Sequence, residues 1–566
     1  MNIKLKGSYL GDVLDIVVEN RGIKNLEEIK NPTYEILNPF QLQNIEAAIE
    51  MYVQNINSSK ILIIVDSDVD GITSASLLYQ FSKIIKPNSN ISLYFHSGKQ
   101  HGLSKEAMDY IINNNYKFVI LPDAGTNDFD EIDKLSSLGI DVLILDHHQV
   151  ERMNQKAVIV NNQLNINQYQ NFSGVGVTFL FVQALIMKYN LNVNAYIFAD
   201  IVALGMIADS MDAVDSKVRF LCEYGFDNVK NKLLKEYYKN ERMNYTRVSW
   251  GIASMINAVI REGTVEDKKA LFYALSIQDN EETFFVEKKR KNKETGKFDK
   301  VVETMNYYEK AIDDCKKIKD RQDNKVKKVF EEIKEQYDNE NIGIFTIKEE
   351  YKNLSGLIAN KMVEQIQRPV IIGIRNNGTI SGSARGYSKF SQNFRDLVLE
   401  TKLVNYASGH NNAFGISIDE ENLEEFQNKF KNKKMEDVTY YVDFIYRYNV
   451  RKEDIRKITD LKNSWSKNFE EPLFAVEFLD INVNKITYKN GIMRFFKNGI
   501  TYIKKGATKE EFEYLTEDKD SKVIFKAVGK FALSSWKNKE YEQFEIQDYT
   551  FEKKPLFKDV DYSGFF

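Results

Sequence analysis

Short β-branched apolar runs, ILIIV at 61 to 65, FVIL at 118 to 121 and VLIL at 142 to 145, alternate along the chain with segments of helical spacing such as Lys105 to Asn113. A run that is apolar at every position suits a strand covered on both faces, and strands that alternate with helices suit a parallel sheet. Ahead of the first run, Asn38-Pro39-Phe40 leads into apolar positions at Ile45, Ile49 and Val53, the spacing of an amphipathic helix. Helical pattern resumes at Gly176 and continues to about residue 275, through stretches such as Ile201 to Ile207 and Val248 to Val259. A parallel-sheet half and a helical half are therefore predicted within one domain, residues 1–275.

The pattern then changes. At 287 to 300, EKKRKNKETGKFDK, seven basic side chains outnumber three acidic ones and apolar periodicity is lost, so this segment reads as a linker. From Asn306 to Gln336 apolar residues recur at Ile312, Ile318, Val326, Val329 and Ile333 within an otherwise charged stretch, predicting one long exposed helix; linker and helix together take residues 276–340. Strand-like IGIFTI, helical LIANKMVEQI and strand-like PVIIGI then predict a smaller α/β unit over 341–435. The remainder, 436–566, is built of alternating segments such as ITYKNGIMRFF, GITYIKK and YEQFEIQDYTF with turn residues between them, the signature of an all-β unit and a small barrel. The fold class is α/β, with this all-β domain appended.

Composition fits a globular chain of several domains: hydrophobic residues make up 43%, charged residues 28%, with 7 Pro and 28 Gly in 566 residues. The longest apolar stretch, Thr178 to Met187, is too short to span a bilayer, and the first residues lack a signal-peptide pattern; the expectation is a cytoplasmic protein without membrane association. Two widely separated cysteines, Cys222 and Cys315, agree with a reducing compartment. A net charge of −4 argues at first against nucleic acid, whose phosphates reward Lys and Arg. Setting aside six acids as metal ligands more than cancels that deficit and leaves a slightly basic surface.

Those acids are distinctive in their placement. DSDVDG, with Asp66, Asp68 and Asp70, follows the first strand; Asp123 follows the second; Asp146-His147-His148 follows the third. C-terminal ends of parallel strands open on one crevice, so five carboxylates and two imidazoles are expected in a single pocket. Like charges that close repel and resist desolvation, and a cation resolves both costs. A carboxylate-rich set with some imidazole favours Mn²⁺, with Mg²⁺ as the alternative, and the ligands suffice for two ions. Paired ions of this kind stabilise in-line phosphoryl displacement, which makes phosphoester hydrolysis the expected chemistry, assisted by His148 or Asp70. DSDVDG also matches the first half of an EF-hand loop, but Leu77 stands where that loop needs its last carboxylate. Any one of these acids alone would be read as a turn or cap residue. His101-Gly102, after a further candidate strand, either faces the crevice or lies in a solvated loop, and the loop is the preferred reading.

With these residues in place the chain resembles the DHH phosphoesterases, and within them the RecJ single-strand-specific exonucleases. The resemblance rests on NPFQLQNIEAAI, ILIIVDSDVDGITSASLL, Asp123-Ala124-Gly125, Asp146-His147-His148, FSGVGVTF at 172 to 179 and DIVALGMIADSMD at 200 to 212. It implies Asp209 as the last metal ligand, a choice that spacing alone leaves open among Asp200, Asp209 and Asp212. NAVIRE at 257 to 262 resembles a family element and implies a DNA contact for Arg261, although Ile260 replaces a glycine there. Residues 341–435 resemble the DHHA1 domain through RPVIIG, SGSARG and SGHNNAFG, which implies nucleic-acid contacts for Ser383, Arg385 and His410. The last domain resembles the family's OB-fold, with Trp536, Tyr541 and Tyr502 as candidate stacking residues. The resemblance implies a manganese-dependent exonuclease that degrades single-stranded DNA from 5′ to 3′ and releases nucleoside 5′-monophosphates. It leaves a monomer as the expected state and a single-strand-binding protein or helicase as candidate partners. The alternatives are a phosphodiesterase of short oligonucleotides or cyclic dinucleotides, and a catalytically silent DNA-binding scaffold.

Overall fold

The structure is a computed structural model that describes residues 1–7, 11–33, 37–57, 59–277, 279–291, 296–337, 341–387, 393–431, 439–537 and 539–555. Contacts divide the chain into two units, one formed by Asn31–Gln336 with Ile347–Ile358, the other by Met1–Lys30, Tyr337–Thr346 and Ala359–Phe566.

The first unit is built on five parallel strands: β1 (Ile61–Val65), β2 (Ile91–Phe95), β3 (Phe118–Pro122), β4 (Asp141–Asp146) and β5 (Val158–Asn161), in the order β2-β1-β3-β4-β5. The three predicted apolar runs are β1, β3 and β4, and their residues divide by parity. Ile61, Ile63, Val65, Phe118, Ile120, Leu143 and Leu145 join the core on one face, whereas Leu62, Ile64, Val119, Leu121, Val142 and Ile144 join the core on the other. Both faces are buried, which is why no polar residue interrupts the runs. From β1 the chain crosses first to β2 on one side and then to β3 on the other. The sheet's switch point, where such sheets open their crevice, therefore lies between the C-terminal ends of β1 and β3.

Helices α1 (Ile45–Ile56), α2 (Val69–Ile85), α3 (Lys105–Asn113) and α4 (Phe129–Ser137) accompany the strands, and α5 (Gly174–Tyr189), α6 (Ala199–Ala208), α7 (Ala253–Glu262) and α8 (Val265–Ser276) belong to the helical half. Two expectations for 276–340 are corrected or sharpened. The segment read as a linker is a β-hairpin of β6 (Thr283–Lys291) and β7 (Phe298–Asn306), with 292–295 outside the described residues. Its charges hid the period-2 pattern, because Lys and Glu occupy positions on both faces. The long helix is present as α9 (Tyr307–Ile333), and Ile312, Ile318, Val326, Val329 and Ile333 are all buried. It packs against α7, α8 and the Lys232–Tyr238 helix, so only its charged side is exposed.

In the second unit, Asn2–Leu5 pairs in parallel with Thr439–Val442, and Arg21 bonds Asp443 at 2.7 Å. The expected span 1–275 is thus corrected at its start: Met1–Lys30 belongs by contact to the second unit, tied there by non-local strand pairing that leaves no local signature. A five-stranded sheet follows, β8 (Gly343–Thr346), β9 (Val370–Asn376), β10 (Thr379–Arg385), β11 (Val404–His410) and β12 (Ala413–Asp419), in the order β11-β12-β10-β9-β8. The last part is a seven-stranded, antiparallel-rich sheet of OB-like character whose long strands are Ser521–Trp536 and Lys539–Pro555. Tyr502 is 1% exposed and stacks on Phe495 at 5.1 Å. It is a core residue and not a stacking platform. Among the described residues no helix is long and apolar enough to cross a membrane.

Candidate metal centre

Asp66 follows β1, and Asp68 caps the N-terminus of α2, accepting from Gly71 N at 2.8 Å. Asp70, in the first turn of α2, points to α5 and accepts from Ser173 Oγ at 2.9 Å, Gly174 N at 2.6 Å and Val175 N at 3.2 Å. It thereby supplies the anion that a helix N-terminus favours. Asp123 follows β3 with φ at 71°, a left-handed conformation that turns its side chain back over the sheet end. Asp146 ends β4 beside it.

These groups converge. One ligand atom from each of Asp66, Asp68 and Asp123 lies within 4.8 Å of the others, as do atoms of Asp70, His147 and Asp209, and of Asp123, Asp146, His147 and His148. His147 Nε2 is 3.3 Å from Asp123 Oδ1 and 3.5 Å from Asp209 Oδ2. The close approach depends on two glycines. A Cβ on Gly174 would stand 2.5 Å from Asp123 Cβ and 2.6 Å from its Cγ, and a Cβ on Gly205 would stand 2.6 Å from Asp70 Oδ1.

The electrostatics show a deficit of positive charge. Burial, then Asp70, Asp68 and Asp66, raise the Asp123 carboxyl well above the usual range, and its Oδ1 is buried without a hydrogen-bond donor. Burial and the neighbouring Asp66 and Asp70 raise Asp68. Burial, with Asp70 and Asp68, pushes Asp209 up to about 8. Burial holds His147 below its ordinary value despite Asp70, so its ring is neutral and able to ligate. A donor set of carboxylates and neutral imidazole, with an orphaned oxygen at its centre, fits divalent cations.

Asp146 behaves differently. Burial opposes its ionisation, but bonds from His148 Nδ1 (2.7 Å) and Thr126 N (3.1 Å) hold its carboxyl below the ordinary range, and His147 N also donates to it at 2.7 Å. The same bond pushes His148 up to about 9 and leaves its Nε2 for the crevice. Asp146 thus orients the His pair.

Of the alternatives on the α6 segment, Asp209 alone lies in these groups. Asp200 is buried and accepts from Ile201 N, Lys230 N and Asn231 N at 2.8, 2.7 and 2.7 Å, so it fastens a loop. Asp212 accepts from Val214 N at 2.9 Å in a turn.

Of the two readings open for His101, the structure favours the crevice over the solvated loop, since the residue is part of the cluster's rim. Its Nδ1 lies 2.6 Å from Asp66 Oδ2, and Gly102 N donates to Asp66 Oδ1 at 3.0 Å. The loop is held from below by Lys268 Nζ, which donates to His96 O and Gly98 O at 2.8 and 2.7 Å. The sequence offered no local signal for this contact, because the partners are 35 positions apart.

The expected nucleic-acid residues fall in both units. In the first, Arg261 ends α7 partly buried, and among the described residues no ion pair or hydrogen bond holds its guanidinium. In the second, Arg385 and His410 both pair with Ala413, one on each side of β12, and Ser383 and Ser408 both pair with Gly415 two residues along. Directly opposed residues share a face, so Ser383, Arg385, Ser408 and His410 line one side of the sheet. The Trp536 side chain lies outside the described residues, and Tyr541 is 45% exposed.

Residues 60–206 match the DHH family, N-terminal domain. The chain is 32% identical over 571 residues to a putative SPbeta prophage-derived single-strand DNA-specific exonuclease of Bacillus subtilis (strain 168), covering 95% of this chain and 96% of the relative. It is 26% identical to the single-stranded-DNA-specific exonuclease RecJ of Haemophilus influenzae, covering 82% and 83%. Its fold matches the crystal structure of RecJ in complex with Mn²⁺ from Thermus thermophilus with a TM-score of 0.71 at 17% identity, over 95% of this chain and 76% of that one.

Proposed function

Because this chain belongs to the family of RecJ-type single-strand-specific exonucleases built on a DHH domain, we propose that it is a metal-dependent exonuclease that hydrolyses single-stranded DNA from its 5′ end. The observation that carries the reading is the convergence of Asp66, Asp68, Asp70, Asp123, Asp209, His147 and His148 at the sheet's switch point around an undonated Asp123 oxygen. These seven residues are assigned as ligands of two divalent ions, Mn²⁺ in preference to Mg²⁺. Bound ions supply Lewis-acid stabilisation of the phosphoryl oxygens and activation of water.

The chain's own residues do the rest. Ser173, Gly174 and Val175 fix the Asp70 carboxylate, and Asp146 fixes the His148 ring. With its Nδ1 bonded to Asp146, His148 has Nε2 as the atom it can offer to a cation. Arg261, with no carboxylate partner among the described residues, offers a planar fork to a phosphate. Ser383, Arg385 and His410 are assigned to phosphates of the strand, and the OB-like sheet with Trp536 to its bases. Monomeric action and recruitment by a single-strand-binding protein or helicase complete the proposal.

The experiment is a time course on single strands labelled at one end or the other, in Mn²⁺ or Mg²⁺, beside a duplex and an RNA strand. Early release of 5′-labelled mononucleotide from the DNA single strand alone is expected. First release from the 3′ label would overturn the direction, and equal degradation of the duplex would overturn the substrate.

A further inference from the structure

The β6–β7 hairpin carries a face that the metal centre does not use. Its register sets Phe285 opposite Thr304, Glu287 opposite Val302, Lys289 opposite Lys300 and Lys291 opposite Phe298. Opposed residues share a face and faces alternate along a strand, so the first three pairs and Phe298 lie on one side of the ribbon. The other side closes on α9: Met305 is 8% exposed there, and Lys288 reaches Asp313 at 2.7 Å. On the open side Phe285 is 78% exposed, Phe298 67% and Val302 64%.

The charges are sorted in the same way. On the closed side Arg290 is bonded to Glu303 at 2.5 Å and Lys288 to Asp313. On the open side Lys289 has no carboxylate partner among the described residues, and Lys300 meets Glu287 at 2.8 Å with both side chains exposed. Over 283–306 the sequence holds seven basic and four acidic residues, within a chain of net charge −4.

Two aromatic rings held in water on a two-stranded ribbon are costly, and such a surface needs an occupant. The apolar groups here are not fused into one dry patch, because the Lys289–Lys300 pair stands between Phe298 and Val302. A folded protein surface would have to desolvate the Lys289 ammonium, which has no carboxylate partner among the described residues, and the exposed Lys300–Glu287 pair as well. An unpaired nucleic-acid strand offers each ring a flat base and each ammonium a phosphate. Phe285 and Phe298 are offset by six residues along the ribbon, about 20 Å at the rise of a strand, so one strand laid along it meets both rings.

We propose that this open face of the hairpin binds single-stranded DNA, stacking bases on Phe285 and Phe298 and holding phosphates with Lys289 and Lys300; it rests on the reading of the chain as a single-strand exonuclease. The full-length protein tests it by fluorescence anisotropy on a long labelled oligothymidylate in EDTA, which stops hydrolysis, together with Mn²⁺-dependent hydrolysis of that strand and of a dinucleotide. The double variant Phe285→Ser/Phe298→Ser is expected to bind the long strand about five-fold or more weakly with an unchanged circular dichroism spectrum. Phe285→Trp is expected to retain wild-type affinity, and Lys289→Glu to lower the salt slope of binding by about one. Hydrolysis of the long strand should fall more than that of the dinucleotide. Wild-type affinity in the double variant overturns the proposal while leaving the exonuclease reading intact, whereas a wild-type protein that neither binds nor cleaves single strands overturns that reading first. A dimer that the double variant converts to monomer at unchanged DNA affinity assigns the face to a second copy of the chain and overturns the proposal as well.

Discussion

Gly174 donates its backbone N–H to Asp70 Oδ2 at 2.6 Å while the position of its missing side chain is filled by the carboxylate of Asp123. One residue at the start of α5 therefore fixes two acids of the cluster, one by a bond and one by leaving it room. Gly174→Ala would press a methyl carbon into Asp123, and neither the helix start nor the strand end can retreat within a packed core. The expected outcome is a fall of about 100-fold or more in divalent-dependent hydrolysis, with weaker cation binding by calorimetry and a native far-ultraviolet spectrum. Wild-type cation affinity in this variant would show that Asp123 has no fixed role.

Asp70 and Asp123 differ in how they are satisfied. Asp70 accepts three hydrogen bonds, and Asp123 Oδ1 accepts none. In the metal-free protein Asp123 is therefore a source of strain, through burial and repulsion from Asp70, Asp68 and Asp66. Asp123→Asn is expected to raise the melting temperature of the chelated protein by about 2–4 °C while abolishing hydrolysis. Asp70→Asn places an amide where three donors converge and is expected to lower it. Thermal unfolding in EDTA separates the two, and equal shifts would refute the distinction.

Stability of the chelated protein should fall with rising pH across the neutral range. Asp209 has a folded-state pKa of about 8, above the ordinary carboxylate value, so the folded state binds more protons than the unfolded one from about pH 4 to 8. His148, raised to about 9, gives stability that is full below its ordinary value and is lost as pH passes 9. Both slopes have the same sign. Asp146, held low, works in the opposite sense only in acid, where its protonation removes the bonds it accepts. A cation must displace the proton on Asp209, so the thermal shift produced by Mn²⁺ should grow between pH 6 and 8. A Mn²⁺ shift independent of pH over that interval would place Asp209 outside the site.

What the sequence revealed follows from where the information is local. β1, β3 and β4 were legible because burial on both faces makes them apolar at every position, and the acids that follow them are adjacent in sequence to those runs. The buried stripe of α9 was legible at each of its five predicted positions. Contacts between distant segments were not: Asn2 pairs with Thr439, and His101 reaches Asp66 from a separate loop. The hairpin is not legible in the sequence because charged residues occupy both of its faces, so no period-2 alternation of apolar and polar positions marks the strands.

The same limit applied to the three acids of DIVALGMIADSMD, which spacing could not rank and whose environments now separate them. Asp200 accepts three backbone N–H groups in a fully buried position, and burial pushes it up to about 6. Asp200→Ala leaves those donors unsatisfied at a cost of about 1–3 kcal/mol each, so it is expected to lower the melting temperature sharply. Asp209 stands 3.5 Å from His147 Nε2 with a third of its side chain open. Asp209→Ala is expected to keep the fold, raise the stability of the chelated protein and remove hydrolysis. The Asp212 carboxylate accepts one hydrogen bond, from Val214 N, among the described residues, so Asp212→Ala should change either property little. Unfolding curves and Mn²⁺-dependent turnover measured on the three variants together decide the matter, since a ligand at 212 or at 200 would move the loss of turnover to that variant and leave Asp209→Ala active.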